Sequence, residues 1–466
     1  MPNRDRPNIV LLFTDDQRFD TIGALGYDEV ATPNIDRLVA RGTAFTNAYI
    51  MGGSCGAVCM PSRAMLMTGR TLYHLEDQGQ SIPEEHVLLG EALQDAGYHT
   101  FGTGKWHNGP RAYARSFTDG AEIFFGGMDD HWNVPACDFD PTGRYGNAKP
   151  FIRTPFTDNE LSHRHVDHIT PGKHSSELFS DATIAFLEGY QEDAPFFTYV
   201  AFMAPHDPRT MPREFLEMYD PGAVTLPASY MPEHPFDNGE LSVRDELLEA
   251  FPRTPAAIRQ HNAEYYAMIT HLDAQIGRIL DTLDARGWTD NTLVVLAGDN
   301  GLAIGRHGLM GKQNMYDHSL HVPLIMAGPG IPRGETRDAL TYLLDIYPTL
   351  CDLIDIPTPT TVEGQSLVPM LGDAQVRSRE TLLFAYRGLQ RAVRDDRYKL
   401  VEYVVDGERT TQLFDLVEDP WELRNLATRP LYQPKLAELR AALRKWQALD
   451  DNQPGQGADF WGGFGA

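Results

Sequence analysis

The chain has 466 residues, of which 42% are apolar and 23% charged, an ordinary globular balance that excludes a disordered polymer. Lys and Arg number 40 against 65 Asp and Glu, and the formal charge of −25 speaks against nucleic-acid binding, because a phosphate backbone requires clustered cations. No stretch approaches the roughly 18 apolar residues of a membrane-spanning helix.

From the N-terminus onward, apolar runs alternate with helical periodicity. Asn8 to Thr14 is a buried strand, and Asn34 to Arg41 a helix with Ile35, Leu38 and Val39 on one face and Gly42 as its stop. Glu91 to Ala96 is helical and ends at Gly97, and a strand comes next, from Tyr98 to Thr103. Ser175 to Glu188 predicts a helix, Phe196 to Met203 a strand, and Ala257 to Arg286 a long helix closed by Gly287. Thr292 to Ala297 and Pro323 to Ala327 are further buried strands. Strands alternating with helices predict an α/β fold.

Length alone allows about three domains. The texture changes once, near Gly372, so two regions are expected, 1–372 and 373–466. In the second, Leu382–Tyr386, Leu389–Val393, Tyr398–Val405 and Gln412–Leu416 predict a small antiparallel sheet. A helix from Lys435 to Leu449 succeeds it, and the Gly-rich end from Gly455 to Ala466 is expected to be loosely ordered. Residues 107–174 and 205–255 are long loops rich in Pro, Gly, Asp and His. They either shape a site or lie exposed, and His131, Trp132, His163, His165 and His168 are open to both readings.

The residues just beyond the strands are polar and chemically versatile. The first strand runs into Asp15-Asp16, the strand at Tyr98 into Lys105-Trp106-His107, that at Phe196 into His206, and that at Thr292 into Asp299-Asn300. In open α/β sheets ligands bind beyond the carboxyl ends of the strands, so four strands deliver polar groups to one edge. Asp15, Asp16, Asp299 and Asn300 offer hard oxygen donors suited to Ca²⁺ or Mg²⁺, although Asp299-Asn300-Gly301 is also an ordinary turn sequence. Lys105, His107, His206 and Lys312 supply cations and proton-transfer groups. Around a divalent cation, these residues describe a site for a tetrahedral anion with a leaving group to protonate.

Four cysteines, Cys55, Cys59, Cys137 and Cys351, make no disulfide framework in so long a chain. Pro61 suits the first turn of a helix and places Cys59 at its positive end, where a thiolate would be activated. With a polar start, the chain as written reads as cytoplasmic, or as periplasmic or secreted if a leader has been removed.

Cys59-Met60-Pro61-Ser62-Arg63, ending in Thr68-Gly69-Arg70, resembles the signature of the type I sulfatases, which belong to the alkaline phosphatase superfamily. The likeness extends to Asp15-Asp16, Gly104-Lys105-Trp106-His107, Pro205-His206, Gly298-Asp299-Asn300-Gly301, Gly311-Lys312, Leu413-Phe414-Asp415-Leu416 and Asp419-Pro420. It implies an alkaline-phosphatase-like sandwich with a large mixed central sheet and a smaller C-terminal antiparallel sheet. It also implies hydrolysis of sulfate esters, in this family commonly on sulfated sugars or polysaccharides. Cys59 would be oxidised to formylglycine by a separate maturation enzyme. Asp15, Asp16, Asp299, Asn300 and the modified Cys59 would ligate one cation, usually Ca²⁺, with Mg²⁺ as the other candidate. Arg63 would hold the formylglycine, and His107 would deprotonate the sulfated intermediate so that sulfate is expelled. Lys105 and Lys312 would neutralise sulfate oxygens, and His206 would serve the leaving alcohol. His321 stands where many members carry Arg and is a candidate substrate contact, whereas Cys55 lies outside the motif. A phosphonate monoester or phosphodiester hydrolase sharing the same nucleophile, and a non-catalytic glycan binder, are the competing readings.

Overall fold

The computed structural model describes residues 6–152, 160–450 and 456–464. The central sheet has eight strands: β1 (Asn8–Thr14), β2 (Gly42–Phe45), β3 (His99–Lys105), β4 (Asp119–Phe124), β5 (Phe196–Ala201), β6 (Thr292–Gly298), β7 (Leu324–Ala327) and β8 (Glu335–Arg337). Their order is β8-β2-β7-β6-β1-β5-β3-β4, and β7 alone runs against the rest. β1 is buried at all seven positions because both its faces are covered. Val10 and Leu12 point into one core, while Ile9, Leu11 and Phe13 point into the other.

On the first face lie α1 (Pro33–Arg41), a helix we call α4 (Ser175–Gly189), and α5 (Pro255–Ala285); on the second lie α2 (Cys59–Thr68) and α3 (Leu89–Asp95). α1 buries Ile35, Leu38 and Val39, the i, i+3, i+4 stripe of its sequence, each contributing about 1.5–3 kcal/mol. Its free N-terminal amides are satisfied from outside: Asp273 of α5 accepts from the Ile35 amide at 2.7 Å and from Asn34 at 3.1 Å. α5 starts with Thr254, whose hydroxyl accepts from the Ala257 amide, and continues with Pro255 in its first turn.

The small sheet is a meander of β9 (Leu382–Tyr386), β10 (Gln390–Arg394), β11 (Tyr398–Val405) and β12 (Glu408–Asp415). A fifth strand of two residues, Gly52–Gly53, pairs parallel with β9. Gly52 has φ +101°, and a side chain there would meet the Ala385 carbonyl at 2.1 Å, so only glycine permits this junction. Leu383, Val393, Leu400 and Leu413 share one hydrophobic cluster with Met65 and Leu66 of α2. The change of texture near residue 372 is therefore not a break in the core.

The helix expected over Lys435–Leu449 forms as α6 (Gln433–Lys445), continued after Trp446 by a turn of helix at Gln447–Asp450. The loosely ordered end expected from its glycines is corrected: Gln456–Phe464 is a helix, α7, with Phe460, Trp461 and Phe464 buried. Gly463 lets it approach Val404 of β11, and Arg409 covers the Phe464 ring at 3.9 Å. Gly455, Gly465 and Ala466 lie outside the described residues. β2, β4 and β8 add to the expected strands, being short or, in β4, mostly polar and glycine (Asp119-Gly-Ala-Glu). The hairpin Ala148–Ile152 with Leu161–His165 lies inside the 107–174 loop region and is likewise new.

Candidate active site

The four strands whose ends carry polar residues are neighbours in the sheet, in the order β6-β1-β5-β3. Their carboxyl ends deliver Asp299 and Asn300, Asp15 and Asp16, His206, and Lys105 with His107 to one place. Gly104 makes this tight edge possible: a side chain there would lie 2.0 Å from the Ala201 carbonyl. Asp16 and His107 adopt φ of +63° and +69°, the left-handed region that costs a residue with a side chain roughly 1–3 kcal/mol. Cys59 and Arg63 enter from the first turns of α2, and Lys312 from the loop after β6.

Arg63 fastens the cluster. Its Nε and Nη2 donate to Asp299 Oδ2 at 3.0 and 2.8 Å, and Nη1 donates to the Lys105 carbonyl at 2.8 Å. Lys105 Nζ donates to Asp15 Oδ2 and stands 3.4 Å from Cys59 Sγ, and His107 Nδ1 is 3.5 Å from the same sulfur. Lys312 Nζ and Asn300 Nδ2 both donate to Asp16 Oδ1 at 2.6 Å. His206 Nδ1 donates to the Asp207 carbonyl at 2.7 Å, which leaves Nε2 facing Asp16 Oδ2 at 3.7 Å.

The burial sets the proton inventory. Burial alone would raise the Asp15 carboxyl, but the charges of Lys105 and Arg63 hold it well below the usual range. Burial, with repulsion from Asp15, pushes Asp299 up to about 6. His107 is driven well below the ordinary histidine value, first by burial and then by Lys105 and Arg63, so it is a neutral imidazole able to accept a proton. Burial opposes the charge of Lys312, yet Asp16, foremost, holds its amine well above the ordinary lysine value. The expectation of an activated Cys59 thiolate is corrected: burial pushes the thiol up to about 11, outweighing Lys105 and Lys312. An unmodified Cys59 is thus a protonated thiol at neutral pH.

Asp15 Oδ1, Asp16 Oδ2 and Asn300 Oδ1 are buried and have no hydrogen-bond partner. Acceptors left unsatisfied in a buried place are costly, and hard oxygens left open together fit a divalent cation. Asp15, Cys59 and Asp299 present ligand atoms within 4.8 Å of one another, as do Asp15, Asp16 and His206. The residues present therefore fit a Ca²⁺ or Mg²⁺ ion.

Above this cluster opens a cavity of about 1050 Å³. Cys59, His107, His206 and Lys312 line it together with Gly127–Asp130, Arg164, Asp207–Arg209, Val243–Asp245, His261 and Glu264. The long loops thus build the walls, but not with the residues singled out from them. His131 is buried beneath the cavity, His165 donates to the Tyr145 carbonyl, His168 meets Glu122, and none of these, nor Trp132 or His163, lines the cavity. His321 is not brought to it either: its ring is sandwiched between Phe19 at 3.9 Å and Tyr49 at 4.6 Å, and burial pushes it down to about 4. Cys55 is half-buried and borders a different cavity. Asp207 and Arg209 escape sequence reasoning although they adjoin His206. Arg244, held by Asp207 and Asp245, has no local signal at all. Another cavity, of about 600 Å³ at the amino ends of the strands beside Arg41 and Arg333, has no convergent catalytic groups.

The sulfatase family model matches residues 7–356, and that of the N-sulphoglucosamine sulphohydrolase C-terminal region matches 305–449. An ulvan-active sulfatase of Formosa agariphila is 30% identical, over 94% of this chain and 81% of its own length. An N-acetylglucosamine-6-O-sulfatase of Bacteroides thetaiotaomicron is 25% identical, over 96% of this chain and 88% of its own. Phosphonate monoester hydrolase of Agrobacterium radiobacter has the same fold, with a TM-score of 0.75 at 23% identity over 94% of this chain and 96% of its own. With strand-end residues, helix-borne cysteine and C-terminal meander all in place, the chain belongs to the sulfatase family and is a sulfuric ester hydrolase built on the alkaline-phosphatase-like α/β fold.

Proposed function

We propose that this protein hydrolyses sulfate monoesters of carbohydrates, using formylglycine made from Cys59 and one divalent cation held by Asp15, Asp16, Asp299, Asn300 and the modified residue 59. The observation that carries this is the position of Cys59 Sγ, between Lys105 Nζ and His107 Nδ1 and beside the open carboxylate oxygens. The relatives acting on ulvan and on N-acetylglucosamine sulfate support a carbohydrate substrate, as does a cavity large enough for a sugar residue.

A hydrated aldehyde at residue 59 supplies two hydroxyls, one to attack sulfur and one whose deprotonation releases sulfate. When bound by these residues, a divalent cation would supply Lewis-acid stabilisation of charge on the sulfate group. Lys105 and Lys312, beside Asp15 and Asp16, would neutralise sulfate oxygens. His107, neutral and next to residue 59, takes the second hydroxyl's proton. His206, with Nδ1 donating to a carbonyl, has Nε2 turned to the cavity, and in its imidazolium form it gives the Nε2 proton to the departing alcohol oxygen. Arg63 keeps Asp299 and the Lys105 backbone in register with α2.

The test is a mass spectrum of the Cys59 peptide after co-expression with a formylglycine-generating enzyme, with parallel kinetics on aryl sulfate and aryl phosphonate. Conversion of the thiol to the aldehyde and a higher kcat/KM on sulfate are expected, and Cys59→Ser should lose turnover by several orders of magnitude. Unchanged turnover in Cys59→Ser rejects the nucleophile. Preference for the phosphonate moves the protein to the other ester class.

A further inference from the structure

The segment His206–Thr210 carries His206, Asp207 and Arg209 to the cavity. It belongs to no helix or strand, so something outside it must fix where the His206 ring stands. Two histidines beneath it grip its ends. His131 Nε2 is 3.0 Å from the His206 carbonyl, and His174 Nε2 is 2.8 Å from the Thr210 carbonyl. A carbonyl only accepts, so each ring carries its proton on Nε2 and offers Nδ1 as an acceptor. Both acceptors are used: the Ser175 hydroxyl donates to His131 Nδ1 at 2.6 Å, and the Ser176 amide donates to His174 Nδ1 at 3.2 Å. Ser175 and Ser176 open α4, a fifteen-residue helix packed on the sheet, so the tautomers are set by a rigid element. The two rings stack at 5.0 Å and 7°, and both are buried. Neither lines the cavity, and an apolar side chain would be less costly to bury if packing were the whole purpose.

We propose that His131 is a positioning residue for His206, holding the backbone of the His206–Thr210 loop, with His174 at its far end, so that His206 Nε2 stays turned toward the reacting oxygens. The proposal rests on the reading of His206 as a participant in turnover. His131 acts through one hydrogen bond to the residue that carries the working ring, so its effect must disappear when that ring is absent.

A double-mutant cycle on the matured, metal-loaded enzyme tests this by single-turnover rates on a sulfated sugar. His131→Phe keeps a stacked ring and removes the donor; it should slow the reaction by about tenfold, a fraction of what general acid catalysis contributes, with KM little changed. His131→Gln, whose amide can donate from the same side, should recover most of the rate. In a His206→Ala background, His131→Phe should add no further loss. Full additivity of the two substitutions overturns the positioning role while leaving His206 in the mechanism. Wild-type rates in His206→Ala itself overturn the reading of that site, and this proposal with it. Should His131→Phe not fold, Ser175→Ala frees the tautomer of His131 and should show a smaller loss that is likewise absent in the His206→Ala background; wild-type rates in Ser175→Ala overturn the proposal.

Discussion

His107 and His206 are both histidines near residue 59, yet their surroundings prepare them differently. His107 is half-buried, and the loss of solvent there together with the charges of Lys105 and Arg63 keeps it neutral. His206 lies on the cavity wall with one nitrogen committed to a carbonyl and the other turned to Asp16. If His206 protonates the departing alcohol, its loss should matter most for a poor leaving group. General acid catalysis is worth roughly 10²–10⁴-fold where protonation is needed. His206→Ala should therefore lose about that much on a sulfated sugar and far less on nitrophenyl sulfate. Under the proposed mechanism, His107→Ala should harm both substrates evenly, because release of sulfate from residue 59 would be the same whichever alcohol had left. Single-turnover rates on the two substrates check this; equal losses in His206→Ala would reduce that residue to a sulfate ligand. Most of these residues are legible in the sequence, because each strand-end group sits next to an unmistakable apolar run. The state of Cys59 is not: the helix N-terminus favours a thiolate, but burial in the same place outweighs it. His321 is unreadable for a related reason, since nothing local tells a ring stacked between Phe19 and Tyr49 from one facing substrate.

Among the elements, α7 shows how composition can hide structure. Its glycines suggest a loose end, while Phe460 and Phe464, four residues apart, place two rings on one helical face. Those rings close the outer side of the small sheet, under Arg391 and Arg409. Phe460 is fully buried, so Phe460→Ala should cost about 3–5 kcal/mol and lower Tm, with kcat/KM of the folded enzyme unchanged because α7 does not line the active-site cavity. Thermal unfolding beside initial rates measures both; a large loss of activity without a change in Tm would mean that α7 serves the site. The central strands, by contrast, are readable to within a residue or two, since strands buried on both faces are continuously apolar. β2, β4 and β8 escape because three or four residues, or a polar edge, carry no period.

For the whole molecule, two charge effects are testable. Burial holds at least six of the described histidines well below their ordinary value of 6.5: His131, His234 and His321 at about 4, and His174, His271 and His307 at about 3. The unfolded chain binds these protons below pH 6.5 and the native protein does not. Their contribution to stability is therefore complete above pH 6.5 and is lost as pH falls toward 4, at up to about 1.4 kcal/mol per histidine per pH unit. Five carboxyls oppose this, Asp273 and Asp299 at about 6, Glu422 at about 7, and Glu240 and Glu246 raised by burial, since each holds its proton better in the native state. The six histidines, all with large shifts from 6.5, outweigh the carboxyls over this range, so the urea midpoint should be lower at pH 5 than at pH 7.5; an equal or higher midpoint at pH 5 would show that the histidines titrate in the native protein. The second effect comes from the net charge of −25. A polyanionic oligosaccharide is repelled before it docks, so its kcat/KM should rise between about 10 and 150 mM salt, as the Debye length shrinks from about 30 to 8 Å. The rate on a singly charged aryl sulfate should change much less. A fall in kcat/KM with salt for the polyanion would reveal a local cationic path that dominates the overall field.

The α/β class, most strands and helices, the strand-end carboxylates and the cysteine motif are all written in neighbouring residues, and the amino-acid sequence alone is enough to read them. It took the folded chain to bring β6, β1, β5 and β3 side by side, to join Arg63 to Asp299 and Lys312 to Asp16, and to turn Asp207, Arg209 and Arg244 toward the cavity while His131 supports it from below. Those contacts join positions tens to hundreds of residues apart. No local period or propensity encodes them; they arise from which apolar faces pack together, and from the burial that packing imposes on each charge.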